Sequence, residues 1–263
     1  MLYGGAAWCG GVLLLPLVLL WPGDDRVREQ RLRRIASFSY RCLFGLIRLF
    51  RVGYVSVEGR QWLRDVRGKL ILANHPMYLD ALALGVLMPQ ADCVIKQSMH
   101  DSRWYRRFAR AIGYIGNGGG AQVMEDCVAA LRAGRHLILF PEGTRSTPGE
   151  PLSFQRGAAQ VAVRSGCDIV PVVIRCEPLG LGKGQRWHDT ADQPWHLHLK
   201  VLPPRSLASF GHDPQLPPSV AARQLTRELQ AFFTTELAAA TAAGNAAHAE
   251  ALRKTMPGDA IRE

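Results

Sequence analysis

The 263-residue sequence predicts an α/β domain in which a mostly parallel or mixed sheet is flanked by helices. Four short apolar runs have the length of buried strands, and four stretches with helical spacing alternate with them. The strands are expected at 69–73, 92–96, 135–140 and 168–174. The helices are expected at 77–88, 102–112, 121–133 and 155–165. Strands that alternate with helices in this way are typical of a sheet whose connections cover its faces.

The N-terminal segment 2–22 carries no charged side chain, and about 20 apolar residues suffice to span a bilayer. Four glycines and Pro16 weaken it as a straight helix, so a re-entrant or interfacial segment remains an alternative. Five arginines follow it directly, which favours a cytoplasmic position for that side. These are Arg26, Arg28, Arg31, Arg33 and Arg34. We therefore expect a membrane-inserted segment at 1–22, with the rest of the chain on the cytoplasmic side of the inner membrane.

Residues 23–56 are expected to form a basic linker followed by an amphipathic helix at 36–50. Arg41 and Arg48 of this helix, together with Arg34 just before it, recur every seven residues, and apolar side chains fill the remaining surface. This pattern predicts a helix lying in the membrane interface. The alternative is a helix packed on the domain core, and both interpretations can hold for different faces.

The formal net charge of +10 and the pI near 9.7 favour anionic partners, either nucleic acid or a membrane surface. No nucleic-acid-binding motif is found, and the arginines are densest beside apolar segments, so membrane lipids are predicted. The six cysteines include no Cys-x-x-Cys pair and are expected to be small apolar residues in a reducing compartment. His196 and His198 share one strand face, but without a third ligand we predict no metal site.

The segment 74–80 directly follows the first expected strand and ends in Asp80. Pro76 disfavours the α-helical region for His75 and suits the first position of a helix. The chain is therefore expected to fold back so that Asp80 meets the imidazole of His75. A carboxylate there would fix the tautomer, so that the other ring nitrogen accepts a proton from a hydroxyl group. The alternative is a histidine at a helix start beside a surface aspartate.

The segment 140–146 follows the third expected strand in the same way. Gly143 permits a tight turn, and neighbouring N–H groups can form an anion-binding concavity. Arg145 adds a permanent charge that suits phosphate, and Glu142 is expected to orient Arg145 or to contact a hydroxyl group. An ordinary turn with a surface ion pair is the alternative. The two segments together indicate an acyl-transfer site for a polar or anionic lipid acceptor.

Over roughly residues 57–201, the chain resembles the glycerolipid, or lysophospholipid, acyltransferase family of the bacterial 1-acyl-glycerol-3-phosphate acyltransferase type. His75 and Asp80 match its His-x4-Asp motif, which implies a general base and its orienting carboxylate. A second match implies acceptor binding and comprises Glu142, Gly143, Thr144 and Arg145, within a Phe-Pro-Glu-Gly-Thr-Arg block. The segment 170–174 resembles the family's later strand with a central proline.

One region departs from the family pattern, which has an arginine after a strand that corresponds to 114–116. Here Asn117 and Gly118 begin a glycine run instead, while Lys96 stands where the family has a lysine. We expect all three to bind substrate, because a glycine run can cradle an anion through backbone N–H groups. The resemblance implies a catalytic domain at 57–215, followed by a C-terminal helix and tail at 216–263.

The implied reaction moves an acyl group from acyl-CoA or acyl carrier protein to lysophosphatidic acid, with no bound cofactor. Three alternatives remain open at this stage. The same chemistry could serve a specialised acceptor, such as a polyene-bearing headgroup. Water could replace the acceptor, as in a thioesterase or lipid hydrolase. A non-catalytic membrane-binding module is the third, although the intact pair His75 and Asp80 argues against it.

Overall fold

The computed structural model describes residues 24–64, 68–103, 105–147, 149–179 and 193–255. The expected membrane segment at 1–22 lies outside these ranges. Within them, no helix combines the length and the apolar composition that crossing a membrane requires.

The described residues form seven strands, seven α-helices and two short 3-10 helices. The strands are β1 (Gly53–Glu58), β2 (Leu70–Ala73), β3 (Asp92–Lys96), β4 (Ile115–Asn117), β5 (Leu137–Leu139), β6 (Ile169–Glu177) and β7 (Trp195–Val201). The helices are α1 (Asp25–Leu49), α2 (Asp80–Leu87), α3 (Gln97–His100), α4 (Arg106–Ala111), α5 (Ala121–Arg132), α6 (Arg156–Ser165) and α7 (Pro218–Thr255). The 3-10 helices are Arg60–Leu63 and Leu207–Phe210.

The strands form one sheet in the order β1-β7-β6-β2-β5-β3-β4. All neighbouring strands are parallel except β6 and β7, so the expected mixed α/β sheet is confirmed. The carboxyl ends of β2 to β6 therefore share one edge of the sheet, which we call the C-terminal edge. Strands β1 and β7 run the opposite way, so their first residues, Gly53 and Trp195, lie at this same edge.

Two apolar cores lie on the two faces of the sheet. Alternate residues of β2 point to opposite faces, with Leu70 and Leu72 on one face and Ile71 and Ala73 on the other. Helices α5, α6 and α7 cover the first face, and α1 and α2 cover the second. The clustered side chains on both faces are shielded from water, which is the burial expected when helices cover both faces of a parallel sheet.

Helix α1 differs from the expected linker and separate helix, because it is continuous from Asp25 to Leu49. The side chain of Asp24 caps its start by accepting a hydrogen bond from the N–H of Val27 at 2.8 Å. Arg33, one of the arginines expected on the cytoplasmic side, has a buried side chain that contacts Asp92 at the start of β3 and Glu29. The fully buried Asp92 carboxylate needs this counter-charge.

The C-terminal helix is confirmed and is longer than expected. Helix α7 buries Leu225, Leu229 and Phe233 against the first face of the sheet, as the helical spacing predicted. It continues through the alanine-rich stretch to Thr255, where only partial helix was expected. Alanine has the highest intrinsic helix propensity, which accounts for the extension.

Candidate active site

His75 and Asp80 are in contact at the C-terminal edge, just after β2. The Nδ1 atom of His75 lies 3.0 Å from Oδ2 of Asp80. Because a carboxylate only accepts, Nδ1 carries the hydrogen and Nε2 is left as a proton acceptor. The His75 side chain is 19% exposed, whereas that of Asp80 is fully buried. The fold therefore presents a partly accessible base on a buried carboxylate.

The turn that brings these two groups together differs from the expected one. Helix α2 begins at Asp80 and not near Pro76, because Asp80 Oδ2 also accepts the N–H of Met77 at 2.9 Å. This bond holds residues 77–79 in a turn ahead of the helix. Burial raises the pKa of the Asp80 carboxyl above its usual 3.8, and the hydrogen bond from His75 opposes that rise. The carboxylate is thus held in place by two donors at a desolvated position.

Glu142 contacts the backbone of His75, which neither of its expected roles anticipated. Its Oε1 accepts the N–H of His75 at 2.9 Å and the hydroxyl of Ser146 at 2.9 Å. The N–H of Ser146 in turn donates to the carbonyl oxygen of His75 at 2.8 Å. The loop after β5 therefore fixes the backbone of His75 from both sides. Ser146 was missed because the sequence gives no sign of a contact with a residue 71 positions earlier.

Two further residues that sequence reasoning did not assign to the site hold its frame. The Asn74 side chain donates to the carbonyl of Ile174 and accepts its N–H, both at 2.7 Å. This bonding extends the pairing of β2 with β6 beyond the last strand residue. The Phe140 ring stacks on the His75 imidazole, with centroids 4.3 Å apart. Both contacts limit the movement of the histidine.

The loop after β5 carries the expected acceptor-binding residues. Gly143 has φ 68°, a conformation that favours glycine, and it lets the chain turn directly after Glu142. Thr144 is exposed beside it. The guanidinium of Arg145 lies over the ring of Tyr78, 4.5 Å from its centroid. Arg145 therefore adjoins the turn between His75 and Asp80.

Lys96, Asn117 and Gly118 also lie at the C-terminal edge, but farther along the sheet. Lys96 ends β3 and pairs in register with Asn117 of β4, and all three are exposed. Strand β3 is two positions from β2 in the sheet, which is a lateral distance of about 10 Å. An added Cβ at Gly118 would lie 2.9 Å from the end of the flexible Gln97 side chain, which would have to move aside.

The histidines of β7 take no part in this arrangement. His196 stacks on Tyr54 and its Nε2 lies 2.6 Å from the Ser56 hydroxyl, while His198 lies 3.1 Å from Glu58. Burial lowers the pKa of His196. Among the residues with described positions, no group of three or more metal-ligating side chains is found.

The chain is similar to known acyltransferases. The Acyltransferase family matches residues 54–175, a span that contains every proposed site residue. The 1-acyl-sn-glycerol-3-phosphate acyltransferase alpha of Mus musculus is 25% identical over 211 residues, covering 76% of this chain and 70% of that protein. The 1-acyl-sn-glycerol-3-phosphate acyltransferase of Helicobacter pylori is 31% identical over 117 residues, covering 42% of this chain and 49% of that protein. These similarities support the glycerolipid acyltransferase family for this chain.

The same similarities support an acyltransferase enzyme, as the motifs predicted. Among solved structures, the 1-acyl-sn-glycerophosphate (LPA) acyltransferase PlsC of Thermotoga maritima has a TM-score of 0.58 and 20% identity. The similarity covers 88% of this chain and 89% of that one, and it confirms the acyltransferase fold. The aligned part of this chain corresponds to between half and two thirds of several curated relatives, such as 52% of the Cocos nucifera 1-acyl-sn-glycerol-3-phosphate acyltransferase.

Proposed function

We propose that this acyltransferase moves a fatty acyl group from a thioester to the free hydroxyl of 1-acyl-glycerol-3-phosphate. The observation that carries the proposal is the contact of His75 Nδ1 with the buried Asp80 carboxylate, which leaves Nε2 as a base. A permanent cation, Arg145, adjoins the same turn through Tyr78. A base beside a phosphate-binding cation suits an acceptor that carries both a hydroxyl group and a phosphate.

In the proposed reaction, His75 Nε2 removes the proton of the acceptor hydroxyl as its oxygen attacks the thioester carbonyl. Asp80 stabilises the imidazolium that forms. When the tetrahedral intermediate collapses, the carbon–sulfur bond breaks and the sulfur leaves as a thiol after taking the proton from His75. The transfer is direct, and no acyl-enzyme is formed.

The acceptor phosphate is assigned to Arg145, with Glu142, Gly143 and Thr144 shaping the loop that presents it. Lys96, Asn117 and Gly118 would contact the more distant part of the bound substrates along the C-terminal edge. The acyl donor is either acyl-CoA or acyl carrier protein, since both present the same thioester to His75.

A second candidate is the same chemistry on a specialised lipid acceptor. It is favoured by Asn117, which stands where the family has an arginine. Without that cation the site has one fewer charged contact for the acceptor phosphate, so a different headgroup would lose less affinity here than in the relatives.

We also propose that the enzyme docks on the cytoplasmic face of the inner membrane through an apolar rim at the C-terminal edge. The rim consists of the exposed side chains of Leu46, Leu49, Phe50, Val52 and Tyr54. It joins the end of α1 to the start of β1, which lies at the same edge as His75. Arg48 and Arg51 are exposed within it and suit anionic headgroups. Acyl transfer on anionic vesicles should fall in Phe50→Ser and be retained in Val220→Ser, an equally polar change on α7. Equal activity of the two folded variants would contradict the docking surface.

The function is tested with labelled palmitoyl thioesters of CoA and carrier protein, each supplied with lysophosphatidic acid, with monoacylglycerol or with no acceptor. The proposal predicts labelled phosphatidic acid as the main product. Free palmitate released at the same rate with and without acceptor would identify a thioesterase. Acylation of monoacylglycerol alone would instead support the second candidate.

A further inference from the structure

The turn between His75 and Asp80 presents an aromatic ring to the loop after β5. The Arg145 guanidinium carbon lies 4.5 Å from the centroid of the Tyr78 ring. Tyr78 belongs to the turn that positions the catalytic base, whereas Arg145 follows a different strand. The contact therefore joins the proposed catalytic and acceptor-binding loops through side chains.

The contact of Arg145 with the Tyr78 ring is of the cation–π type. A cation over a ring is attracted to the negative face of the π system. A phosphate is bound in a different way, through hydrogen bonds from the N–H donors in the guanidinium plane. A ring below Arg145 thus orders the cation without replacing a phosphate as its hydrogen-bonding partner.

The backbone around this pair is already fixed. Glu142 and Ser146 bind the His75 backbone at 2.9 and 2.8 Å, so the two loops keep a constant separation. An arginine side chain has many rotamers, and ordering one on substrate binding reduces affinity. An aromatic ring that orders it in advance removes part of that loss.

We propose that Tyr78 is a positioning residue for the acceptor, which holds the Arg145 guanidinium ready for the acceptor's phosphate. The inference rests on the proposed function and extends it to a residue outside the assigned acceptor loop. Tyr78 acts through Arg145 and not on the reacting atoms. Its loss should therefore raise KM for the phosphate-bearing acceptor while leaving kcat and the KM for the acyl donor in place.

The test compares wild type with Tyr78→Phe, which keeps the ring, and Tyr78→Leu, which removes it. A cation–π contact at a partly exposed site is worth roughly a two- to tenfold change in binding. Tyr78→Leu is expected to raise KM for lysophosphatidic acid by about that factor. Its kcat and its KM for palmitoyl-CoA should stay within about twofold of the wild-type values. Tyr78→Phe should restore the wild-type acceptor KM. Thermal unfolding confirms that each variant is folded.

A double-mutant cycle with Arg145→Gln separates positioning of Arg145 from a general structural role. If Tyr78 acts through Arg145, Tyr78→Leu should have little further effect on the acceptor KM in the Arg145→Gln background. Provided that wild type forms phosphatidic acid, three results would each overturn the inference. The effects of Tyr78→Leu and Arg145→Gln on the acceptor KM could be additive, or Tyr78→Leu could lower only kcat. Tyr78→Phe could also raise the acceptor KM as much as Tyr78→Leu does. If wild type forms none, the proposed function fails, and the inference fails with it.

Discussion

Replacing Asp80 with asparagine separates the charge of the carboxylate from its geometry. Both donors that reach this side chain, His75 Nδ1 and the N–H of Met77, converge on the single oxygen Oδ2. An asparagine should therefore place its amide oxygen at that position and keep both hydrogen bonds. The histidine tautomer is then preserved, and the main loss is the negative charge beside the imidazolium.

The size of that loss follows from the separation and the burial of the pair. Two unit charges about 4 Å apart interact by about 4 kcal/mol at the effective dielectric constant of roughly 20 that suits protein sites. Since about 1.36 kcal/mol corresponds to a tenfold change in rate, kcat for Asp80→Asn should fall about a thousandfold. The KM for lysophosphatidic acid should change little, because Asp80 is fully buried and does not reach the acceptor.

The same substitution should change how stability depends on pH. Burial raises the pKa of the Asp80 carboxyl above 3.8, so the folded state retains that proton at pH values where the unfolded chain has lost it. A group of this kind stabilises the folded state most at low pH and less as the pH rises through its folded pKa. The free energy of unfolding of wild type, relative to Asp80→Asn, should therefore decrease from about pH 3.8 upward.

Steady-state acyl transfer to lysophosphatidic acid measures the first effect, and urea unfolding across pH 3–8 measures the second. Asp80→Ala is the control, because it removes the orienting hydrogen bonds as well as the charge and should be less active still. A folded Asp80→Asn enzyme that kept more than a tenth of wild-type kcat would refute the electrostatic reasoning. A relative stability that increased with pH would refute the assigned burial effect.

Three further substitutions test the frame around the site. Asn74→Ala removes two buried hydrogen bonds to β6 and should lower the free energy of unfolding by roughly 2–6 kcal/mol in urea titrations. The control is Asn117→Ala at an exposed position, which should change it by less than about 0.5 kcal/mol. Equal effects of the two substitutions would contradict the role of Asn74 in joining β2 to β6. Arg33→Ala leaves Asp92 buried without its nearest counter-charge and should lower the free energy of unfolding by about 3–5 kcal/mol in the same titrations. An unchanged urea midpoint would show that the Arg33–Asp92 pair does not stabilise the fold. Ser146→Ala removes the hydroxyl that donates to Glu142 and should lower kcat up to about tenfold in the acyl-transfer assay. An unchanged kcat would mean that the remaining contacts suffice to hold the His75 backbone.

The parts of the structure that the sequence predicted depend on local patterns. The contact of His75 with Asp80 spans five residues and follows from the extended conformation that Pro76 imposes on its neighbour. The strands at the centre of the sheet were visible because they are buried on both faces and are therefore continuous apolar runs. Their shared carboxyl ends then place both motifs at one edge without further information.

The missed features depend on contacts between residues far apart in the chain. Arg33 was counted only among the arginines that follow the N-terminal segment, and its buried contact with Asp92, 59 residues away, was not predicted. Asn74 gave no sign of its bonding to β6, 100 residues later. Strand β1 was missed because it lies at the edge of the sheet, where only Gly53 is buried and the apolar signal is weak. The spacing of apolar residues indicates which face of one helix or strand is buried, but not which distant residue contacts that face.

The central claim is that His75 is the base for acyl transfer, and the most direct test is kcat for phosphatidic acid formation in His75→Ala. General-base catalysis contributes about 10²–10⁴-fold, so the variant should lose activity by at least about a hundredfold while remaining folded. His198→Ala, which changes a histidine paired with Glu58 away from the site, should keep wild-type kcat. A folded His75→Ala enzyme that forms phosphatidic acid at a rate near that of His198→Ala would contradict the account.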